Sequence, residues 1–527
     1  MTLHIEKYVG NHPKPDVTLK YGTAGLRSKL AVLDYATYIV GIVAALRSKQ
    51  LNGQVIGCMV TASHNPPEDN GVKVVDPMGT MLVSQWEDIA TTLANTEPAQ
   101  LQAAVEKVIT DQKIDMKKEG HVLIAMDTRE LSPQLVQSCI EGFELVGNTT
   151  YKDYGLLTTP QLHYLVRTAN DKTYGECSET GYYDKMVHAF EQIYQLGDQQ
   201  PVSITIDCAN GVGAPAMEKF KRVLNRIDIT LVNTNIEDPL KLNVLCGADY
   251  VKTNQKLPAG VSPKPNVLYA SFDGDADRLI CYFTDDHGGF HLLDGDKMST
   301  LIALVMQQLF NDLPLLADQL KIGVVQTAYA NGSSTNYIQN TLKLPVECTP
   351  TGVKHLHHAA ENFDIGIYFE ANGHGTVCFS KKAQDAIDAY KPEGEVDGRA
   401  ATILKALSNL INQTVGDAIS DLLTILAILY YLRLSPQQWD EAYTDLPNKL
   451  IKVIVPDRTI FKTTDAERKL VEPAGLQSKI DELVAKYPQG RSFVRASGTE
   501  DAVRVYAEAA KPEHAQELVA LVGQLVE

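Results

Sequence analysis

The sequence has little of several features that would place it in a particular class of protein. It contains 2 tryptophans and 8 cysteines in 527 residues, and the cysteines are scattered with no C-x-x-C pair. This usage indicates reduced thiols in the cytoplasm and not a disulfide framework or a zinc site. The chain also lacks an excess of positive charge, since its net charge is −17. We therefore expect no general binding to nucleic acids or anionic membranes, which requires a basic surface.

Long apolar runs are absent as well. The most apolar stretch, residues 422–432, is about half as long as the roughly twenty residues that a membrane span needs. We predict a buried helix there and no membrane association. The N-terminus has no apolar core of the secretory type. Hydrophobic residues make up 44% and charged residues 21% of the chain, which is typical of a globular protein.

Short β-rich runs alternate with longer amphipathic stretches, which predicts an α/β protein. The clearest predicted helices are residues 35–50, 133–146, 297–310 and 417–432. A chain of this length exceeds what a single core accommodates. Polar segments and a proline-containing run divide it into predicted domains 1–175, 176–294, 295–440 and 441–527. The last domain is predicted to run strand, helix, strand, strand, helix.

Four loops carry residue types that suit phosphoryl transfer, and the first is TASHNPPEDNGVK, residues 61–73. It follows an apolar strand and holds Ser63 on a proline-rich turn. Such a serine can act as a nucleophile toward phosphorus, with His64 or Lys73 handling protons or charge. The short string S-H-N-P alone is also typical of a plain surface turn.

The second loop, DGDADR, places Asp273, Asp275 and Asp277 at alternate positions, which lie on one face of an extended backbone. Three converging carboxylates suit a hard divalent cation such as Mg²⁺. An EF-hand does not fit, because its sixth position is Arg278 here and not glycine. A solvated acidic turn is the remaining alternative, because Asp-Gly is common in turns.

The third loop follows another apolar strand and contains Glu370, Asn372, Gly373 and His374. One carboxylate can accept hydrogen bonds from two neighbouring sugar hydroxyls. Taken alone, however, a glycine-rich loop with one acid and one histidine is also typical of an ordinary turn.

The segment before this loop offers Thr351 and Lys354, the latter as a group for binding phosphate or handling a proton. Three histidines follow at once, at His355, His357 and His358. We interpret them as a solvated helix face and not a zinc cluster, because no cysteine or carboxylate completes a plausible ligand spacing.

The fourth loop lies between two predicted C-terminal strands and contains Arg495, Ser497, Gly498 and Thr499, with Arg504 beyond it. This loop offers a dianion two guanidinium groups and two hydroxyls. It also offers backbone N–H groups that glycine leaves accessible, because glycine has no side chain. An arginine that merely caps a hairpin loop is the alternative.

The strings TASHNP, DGDADR and RASGTE, preceded by GTAGLR at residues 22–27, resemble the α-D-phosphohexomutase family over essentially the whole chain. The resemblance implies three related mixed α/β domains and a C-terminal α+β domain of the TATA-binding-protein-like type, arranged around a central cleft.

The same resemblance implies a role for each matching residue. It implies a phosphorylated Ser63 that holds Mg²⁺ together with the three aspartates of the second loop. It implies proton transfer by Lys73 and charge stabilisation by Arg27 and Arg278. The implied sugar-binding and phosphate-binding groups are Glu370, His374, Arg495, Ser497, Gly498 and Thr499.

Two departures from the general family pattern are typical of its acetylglucosamine branch. Asn372 stands where other members have serine, and an amide could hydrogen-bond a 2-acetamido group. The string Asp127-Thr128-Arg129 follows the serine loop instead of preceding it.

The implied reaction interconverts N-acetylglucosamine 6-phosphate and N-acetylglucosamine 1-phosphate through a sugar 1,6-bisphosphate, for UDP-N-acetylglucosamine synthesis. The implied partners are small sugar phosphates, and we expect a cytoplasmic protein that is a monomer. The alternatives are a mutase of unsubstituted hexose phosphates, a non-catalytic sugar-phosphate-binding paralogue, or a phosphatase with Asp273 as its nucleophile.

Overall fold

The computed structural model describes residues 10–29, 32–197, 201–497 and 501–527. The chain folds into two compact units. One consists of residues 1–292 with 406–431, and the other of residues 293–405 with 432–527. None of the helices in the described ranges is long and apolar enough to cross a membrane. The boundaries predicted at residues 175, 294 and 440 stay predictions.

Three mixed sheets follow one another along the chain. The first contains β1 (Leu26–Lys29), β2 (Val55–Val60), β3 (Asp69–Val75), β4 (Gly120–Met126) and β5 (Thr149–Leu156). The second contains β6 (Val202–Asp207), β7 (Ile227–Val232), β8 (Tyr269–Phe272), β9 (Leu279–Thr284) and β10 (Phe290–Leu293). The third contains β11 (Ile322–Thr327), β12 (Val346–Thr349), β13 (Ile365–Phe369) and β14 (Gly375–Phe379). Their strand orders are β1-β3-β2-β4-β5, β10-β9-β8-β6-β7 and β12-β11-β13-β14.

The C-terminal part has a sheet of its own and an additional hairpin. Its sheet has the order β15-β19-β18 and is built from β15 (Asn448–Ile454), β18 (Arg491–Ala496) and β19 (Ala502–Glu508). The hairpin pairs β16 (Lys462–Thr464) with β17 (Lys469–Glu472). The predicted order for this domain lacked this hairpin, because strands of three and four residues give no clear period in a polar sequence.

Helices connect and cover the strands. Those before β11 are α1 (Leu33–Gln50), α2 (Ser84–Asn95), α3 (Pro98–Asp111), α4 (Ser132–Val146), α5 (Thr159–Asn170), α6 (Glu179–Gln195), α7 (Gly213–Lys221), α8 (Ala248–Asn254), α9 (Gly295–Asn311) and α10 (Pro314–Ala317). Those after it are α11 (Gly332–Asn336), α12 (Val353–Ala360), α13 (Lys381–Ala389), α14 (Glu395–Leu410), α15 (Ala418–Leu432), α16 (Pro436–Asp440), α17 (Leu476–Val484) and α18 (Pro512–Val526). The four helices predicted from the sequence are confirmed as α1, α4, α9 and α15, with ends shifted by one or two residues.

The core of the first sheet depends on two helices that touch backbone to backbone. A Cβ atom on Gly41 of α1 would lie 2.2 Å from the Cys139 carbonyl oxygen, and one on Gly142 of α4 would lie 2.4 Å from the Tyr38 carbonyl oxygen. Only glycine permits this approach. Because it is covered on all sides, α1 is buried along nearly its whole length and shows no polar face.

The same arrangement recurs in all three mixed sheets. A strand pairs in parallel with one neighbour and then returns through a short loop as an antiparallel strand. The returning pairs are β2–β3, β8–β9 and β13–β14, and their parallel neighbours are β4, β6 and β11. The first three of the four loops whose residues suit phosphoryl transfer are therefore the turns of such pairs. This explains why the three mixed sheets resemble one another without sharing a sequence motif.

Helix α15 belongs to the first compact unit although it follows the third sheet in sequence. Its residues Ala418–Leu429 are buried, as predicted for the most apolar stretch. Tyr182 donates its hydroxyl to the carboxylate of Asp417, at 3.0 and 2.9 Å from its two oxygens. The N–H of Ala418 donates to the carbonyl of Ala276 at 3.0 Å. The helix thereby supports the loop that carries the three aspartates.

A buried histidine fastens the beginning of the described chain to the first sheet's helices. His12 is 4% exposed; its Nδ1 lies 2.8 Å from Asp34 Oδ2 and its Nε2 lies 3.0 Å from Glu141 Oε2. Burial alone would lower the pKa of His12, but its hydrogen bonds to Asp34 and Glu141 and their charges outweigh it and raise that pKa.

This cluster predicts a pH-dependent stability with a definite sign. Because the pKa of His12 is raised by folding, its contribution is complete below about pH 6.5 and is lost as the pH rises through the raised value. We expect His12→Gln to lower the thermal unfolding midpoint more at pH 6 than at pH 8.5, by about 2 °C. Scanning calorimetry of both proteins tests this, with the exposed His188→Gln as a control. An equal loss at both pH values would contradict it.

Candidate active site

Ser63 lies in the turn between β2 and β3 and has a φ of +52°, a left-handed conformation that is uncommon for serine. Its N–H donates to Thr61 Oγ1 at 2.9 Å. Its hydroxyl donates to Asp273 Oδ2 at 2.6 Å, and Asp277 Oδ1 lies 3.5 Å away. The structure thus brings the predicted nucleophile against the predicted metal loop, 210 residues further along the chain.

Arg129 holds the serine loop in this conformation. Its Nη1 donates to the carbonyls of Pro66 and Asp69, at 2.6 and 2.8 Å. Its Nη2 donates to the carbonyls of Ser63 and Asn65, both at 2.9 Å. Arg129 is 2% exposed, and its guanidinium therefore donates hydrogen bonds to four backbone carbonyl oxygens of a single loop. In the sequence, this arginine stands out only as part of the displaced string Asp127-Thr128-Arg129.

Two more side chains support the same loop. Asp127 Oδ2 accepts from Arg129 Nε at 3.0 Å and from Thr61 Oγ1 at 2.8 Å. Asn243 donates its amide to the Ser63 carbonyl at 3.0 Å. No motif or spacing marks Asn243, whose own positive φ of 60° is the local feature that sets it apart.

The three aspartates of the second loop lie together and are buried, with exposed fractions of 1%, 0% and 6% for Asp273, Asp275 and Asp277. Each offers one oxygen within 4.8 Å of the others. Burial, followed by the charges of Asp277 and Asp275, raises the pKa of Asp273 well above its ordinary value. The loop can approach Ser63 because Gly274 has no side chain: a Cβ atom there would lie 2.6 Å from the Ser63 carbonyl oxygen.

The arrangement fits a divalent cation. Asp275 Oδ2 accepts from Thr159 Oγ1 at 2.6 Å, whereas its buried Oδ1 has no hydrogen-bond partner. A buried carboxylate oxygen without a donor is costly unless a cation takes that place. The carboxylates of Asp273, Asp275 and Asp277, together with a serine hydroxyl, form the hard ligand set that Mg²⁺ prefers.

Three predicted cationic residues surround the aspartates. Lys73 Nζ lies 3.8 Å from Asp275 Oδ2 and 3.7 Å from Asp277 Oδ2. Arg278 donates Nη1 to both oxygens of Asp249, at 2.9 and 3.0 Å. Burial lowers the pKa of Arg27 in spite of the nearby carboxylates, and its Nη1 donates to the side chain of Asn65 at 3.3 Å.

His64 is the remaining predicted catalytic residue of the first unit. Its Nδ1 lies 3.5 Å from Ser63 Oγ. Burial, and next the charge of Arg278, lowers the pKa of His64 to about 4. The imidazole is therefore neutral near pH 7.

In the second unit, the predicted sugar-binding loop, residues 370–374, is the turn between β13 and β14. The Glu370 N–H donates to the His374 carbonyl at 2.8 Å, and Gly373, with a φ of +87°, donates to the Glu370 carbonyl at 2.9 Å. Asn372 shapes the turn, because its Oδ1 accepts from the His374 N–H at 3.0 Å. Its Nδ2 points to Glu370 Oε2 at 3.4 Å, so the amide is engaged inside the loop.

The predicted phosphate-binding segment joins β18 to β19, and Arg495 and Arg504 are cross-strand partners on these two strands. The Ser497 N–H donates to the Ala502 carbonyl at 2.8 Å. Gly498 and Thr499 lie outside the described residues. Arg495 Nε donates to Glu467 Oε1 at 2.9 Å, and Glu467 Oε2 accepts from both the N–H and the Oγ1 of Thr351, at 2.9 and 2.6 Å.

Lys354 lies in the first turn of α12, in the same unit. The prediction that the three histidines of this helix face solvent is wrong for His357, which is 9% exposed. Its Nδ1 lies 3.2 Å from the hydroxyl of Tyr368 on β13. In a helix that packs on a sheet, buried residues recur every three or four positions. His357 lies on that buried face, whereas His355 and His358 are exposed.

Comparison with known proteins identifies the family. The models "Phosphoacetylglucosamine mutase AMG1, domain III" and "domain II" match residues 294–434 and 172–280. The phosphoglucomutase/phosphomannomutase models for the C-terminal domain and for the alpha/beta/alpha domain I match residues 450–523, and 41–100 with 89–177. The phosphoacetylglucosamine mutase of Candida albicans is 57% identical over 537 residues, which cover 99% of this chain and 99% of the relative.

The chain belongs to the phosphoacetylglucosamine mutases.

Solved members of this family have the same fold. An N-acetylglucosamine-phosphate mutase in its product complex superposes with a TM-score of 0.97 at 58% identity, covering 100% of this chain and 99% of that one. The Aspergillus fumigatus enzyme in complex with GlcNAc-6P and magnesium gives a TM-score of 0.95 at 48% identity, covering 99% and 98%. A serine-to-alanine variant of that enzyme has also been solved with glucose 1,6-bisphosphate. The predicted family and four-domain α/β architecture are confirmed, while the TATA-binding-protein-like detail stays a prediction.

The aspartate cluster predicts a measurable loss of metal binding. Asp275→Asn keeps the shape of the side chain but removes one charge, and we expect the affinity for Mg²⁺ to fall at least about tenfold. Isothermal titration of Mg²⁺ into the whole protein tests this. Asp286→Asn, an exposed acid in the turn after β9, is the control and should bind as the unaltered protein does. Equal affinities for all three proteins would contradict the assignment.

The contacts of Arg129 predict a local loosening of the serine loop. Arg129→Lys keeps the charge but replaces a planar fork by a point donor that cannot reach four carbonyls. We expect amide hydrogen exchange to rise about tenfold or more in peptides that cover residues 61–71. The exposed Arg222→Lys serves as a control. Unchanged protection of these peptides would show that other contacts hold the loop.

Proposed function

We propose that this chain interconverts N-acetylglucosamine 6-phosphate and N-acetylglucosamine 1-phosphate through a phosphorylated Ser63. The observation that carries the proposal is the hydroxyl of Ser63 placed 2.6 Å from Asp273 in a buried cluster of three aspartates. The relatives that share this fold act on, or were solved with, these sugar phosphates, which supports the same substrate here.

Each half-reaction exchanges one P–O bond for another. The bond between phosphorus and Ser63 Oγ breaks, a bond from phosphorus to a sugar hydroxyl oxygen forms, and the proton of that hydroxyl passes to a base. The product of the first half is a 1,6-bisphosphate. In the second half its other phosphate returns to Ser63, so that the enzyme is phosphorylated again and the phosphate has changed position.

Little covalent chemistry is required of the protein beyond position and charge. Ser63, Asp273, Asp275 and Asp277 would hold Mg²⁺, which neutralises charge on the transferred phosphoryl group when bound. Arg27 and Arg278 lie near the same carboxylates and stabilise the negative charge that the phosphate brings.

Two residues stand close enough to handle the proton. His64 is neutral near pH 7, since burial and Arg278 lower its pKa to about 4, and its ring lies 3.5 Å from Ser63 Oγ. Lys73, the residue that the family resemblance favours, lies within 3.8 Å of two aspartates. We assign proton transfer to Lys73 and contact with the phosphoryl group to His64.

The second unit carries the other residues that the family resemblance assigns to substrate binding. We assign the sugar hydroxyls to Glu370 and His374, on a turn whose shape Asn372 and Gly373 maintain. We assign the phosphate that is not reacting to Arg495, Ser497, Gly498, Thr499 and Arg504, with Thr351 and Lys354 beside them. Such a site has to accept either phosphate of the bisphosphate in turn.

Several finer assignments belong to the same proposal. The product would feed UDP-N-acetylglucosamine synthesis, and a sugar 1,6-bisphosphate would activate the enzyme by phosphorylating Ser63. A cytoplasmic location is supported by the eight cysteines, none of which forms a disulfide in the described residues. A monomer is the expected state.

Ser63→Ala tests the proposal directly. Because the variant has no oxygen to carry the phosphoryl group, we expect turnover to fall at least about 10³-fold while N-acetylglucosamine 6-phosphate still binds. A coupled assay with this substrate, Mg²⁺ and glucose 1,6-bisphosphate measures turnover, and intact mass measures phosphorylation of the unaltered chain. Ser203→Ala, an exposed strand serine, is the matched control. Full activity of Ser63→Ala would refute the role of the serine, and a faster reaction with glucose 6-phosphate would refute the substrate.

A further inference from the structure

The hairpin of β16 and β17 presents one carboxylate to two groups assigned above to substrate binding. Three donors converge on Glu467: the N–H and Oγ1 of Thr351 on one oxygen, at 2.9 and 2.6 Å, and Arg495 Nε on the other, at 2.9 Å. The side chain of Glu467 keeps 17% of its exposure and that of Arg495 keeps 25%. The contact thus lies near the surface and can open without disrupting a core.

The backbone of this turn is shaped to hold the carboxylate in place. Asp465, Ala466 and Glu467 have φ values of 52°, 53° and 67°, three successive non-glycine residues in the left-handed region. Such a conformation is strained and persists only where surrounding contacts maintain it. Arg468 supplies such contacts, because it pairs with the Asp465 side chain and donates Nε to the Asp465 carbonyl at 3.0 Å. The turn is therefore held by its own residues as well as by the contacts of Glu467.

A carboxylate and a phosphate compete for donors of this kind. Both accept charge-assisted hydrogen bonds from a guanidinium, and both accept from a backbone N–H and a hydroxyl. A phosphate on Arg495 and Thr351 would lie next to the Glu467 carboxylate, and like charges at that distance repel. The two anions cannot both use these donors at full strength.

We infer that Glu467 is an internal anion that occupies the phosphate-binding donors Arg495 and Thr351 when substrate is absent. The phosphate of the substrate then displaces the Glu467 carboxylate from these donors. The inference rests on the proposed function, in which these donors bind the phosphate that is not reacting. Each turnover requires that site to release one phosphate of the bisphosphate and to take up the other. Partly buried donors left without an acceptor lose hydrogen-bond energy, and Glu467 supplies the acceptor during the exchange.

Removing the charge of Glu467 is expected to strengthen phosphate binding. In the Ser63→Ala background, which prevents turnover, Glu467→Gln should lower the Kd of N-acetylglucosamine 6-phosphate about fivefold, as expected for the loss of one partly exposed ionic contact. The Kd of inorganic phosphate should fall by a similar factor, and that of N-acetylglucosamine should not change. Isothermal titration of the three ligands into the whole chain measures these constants.

Two further variants separate competition from a structural effect. Glu467→Asp keeps the charge and should bind the three ligands as Ser63→Ala alone does. Glu472→Gln removes a carboxylate of the same hairpin that pairs with Lys462 at 2.9 Å, and it should also leave binding unchanged. Weaker phosphate binding by Glu467→Gln would overturn the inference and make Glu467 a positioning residue for Arg495. Unchanged binding, or equal tightening by Glu472→Gln, would overturn it as well.

The two proposals fail in different experiments. An unaltered chain that does not interconvert the two sugar phosphates would refute the proposed function. The titration with inorganic phosphate needs no turnover, so its result depends only on competition at Arg495 and Thr351.

Discussion

The repulsion among three buried carboxylates is the constraint on which the first unit depends. Asp273, Asp275 and Asp277 are nearly without exposure and offer oxygens within 4.8 Å of one another. In a medium of low dielectric constant such a cluster is not stable as three isolated anions. Burial and the charges of its two neighbours raise the pKa of Asp273, which reflects the cost of holding three negative charges together. A divalent cation relieves it, and so in part does the nearby Lys73.

The support of the serine loop follows from the same constraint. Ser63 has to present its oxygen to the aspartates while its backbone keeps a positive φ, which the chain adopts only under restraint. Arg129 provides that restraint by donating hydrogen bonds to four carbonyl oxygens of the loop, and its own charge is balanced by Asp127. The second unit handles charge in a comparable way, because Arg495 faces the carboxylate of Glu467. In both places a carboxylate at hydrogen-bond distance balances the charge of an arginine.

The sequence predicted the parts of the site that are local in the chain. Ser63, the three aspartates and Arg495 each stand in a short string whose residue types determine its chemistry, so that no fold is needed to recognise it. Arg129, Asn243 and Glu467 were missed for the opposite reason. Their roles consist of contacts with residues 28 to 180 positions away, and nothing in their neighbouring sequence reveals those partners. The burial of His357 likewise depends on Tyr368 of a strand that packs against its helix.

The hairpin turn explains why short strings predicted so much here. In each of the three mixed sheets a buried strand runs to the loop and an antiparallel strand leads away from it, and β18 and β19 repeat the pattern. In the three mixed sheets both ends of the loop are anchored by a ladder of backbone hydrogen bonds, so that a few residues take one conformation and their functional groups keep a constant spacing. The hairpin of β16 and β17 differs, because its strands have only three and four residues and its turn depends on side-chain contacts in addition to backbone hydrogen bonds. A turn held in that way can yield when a competing anion arrives, which is the property that exchange at Arg495 requires.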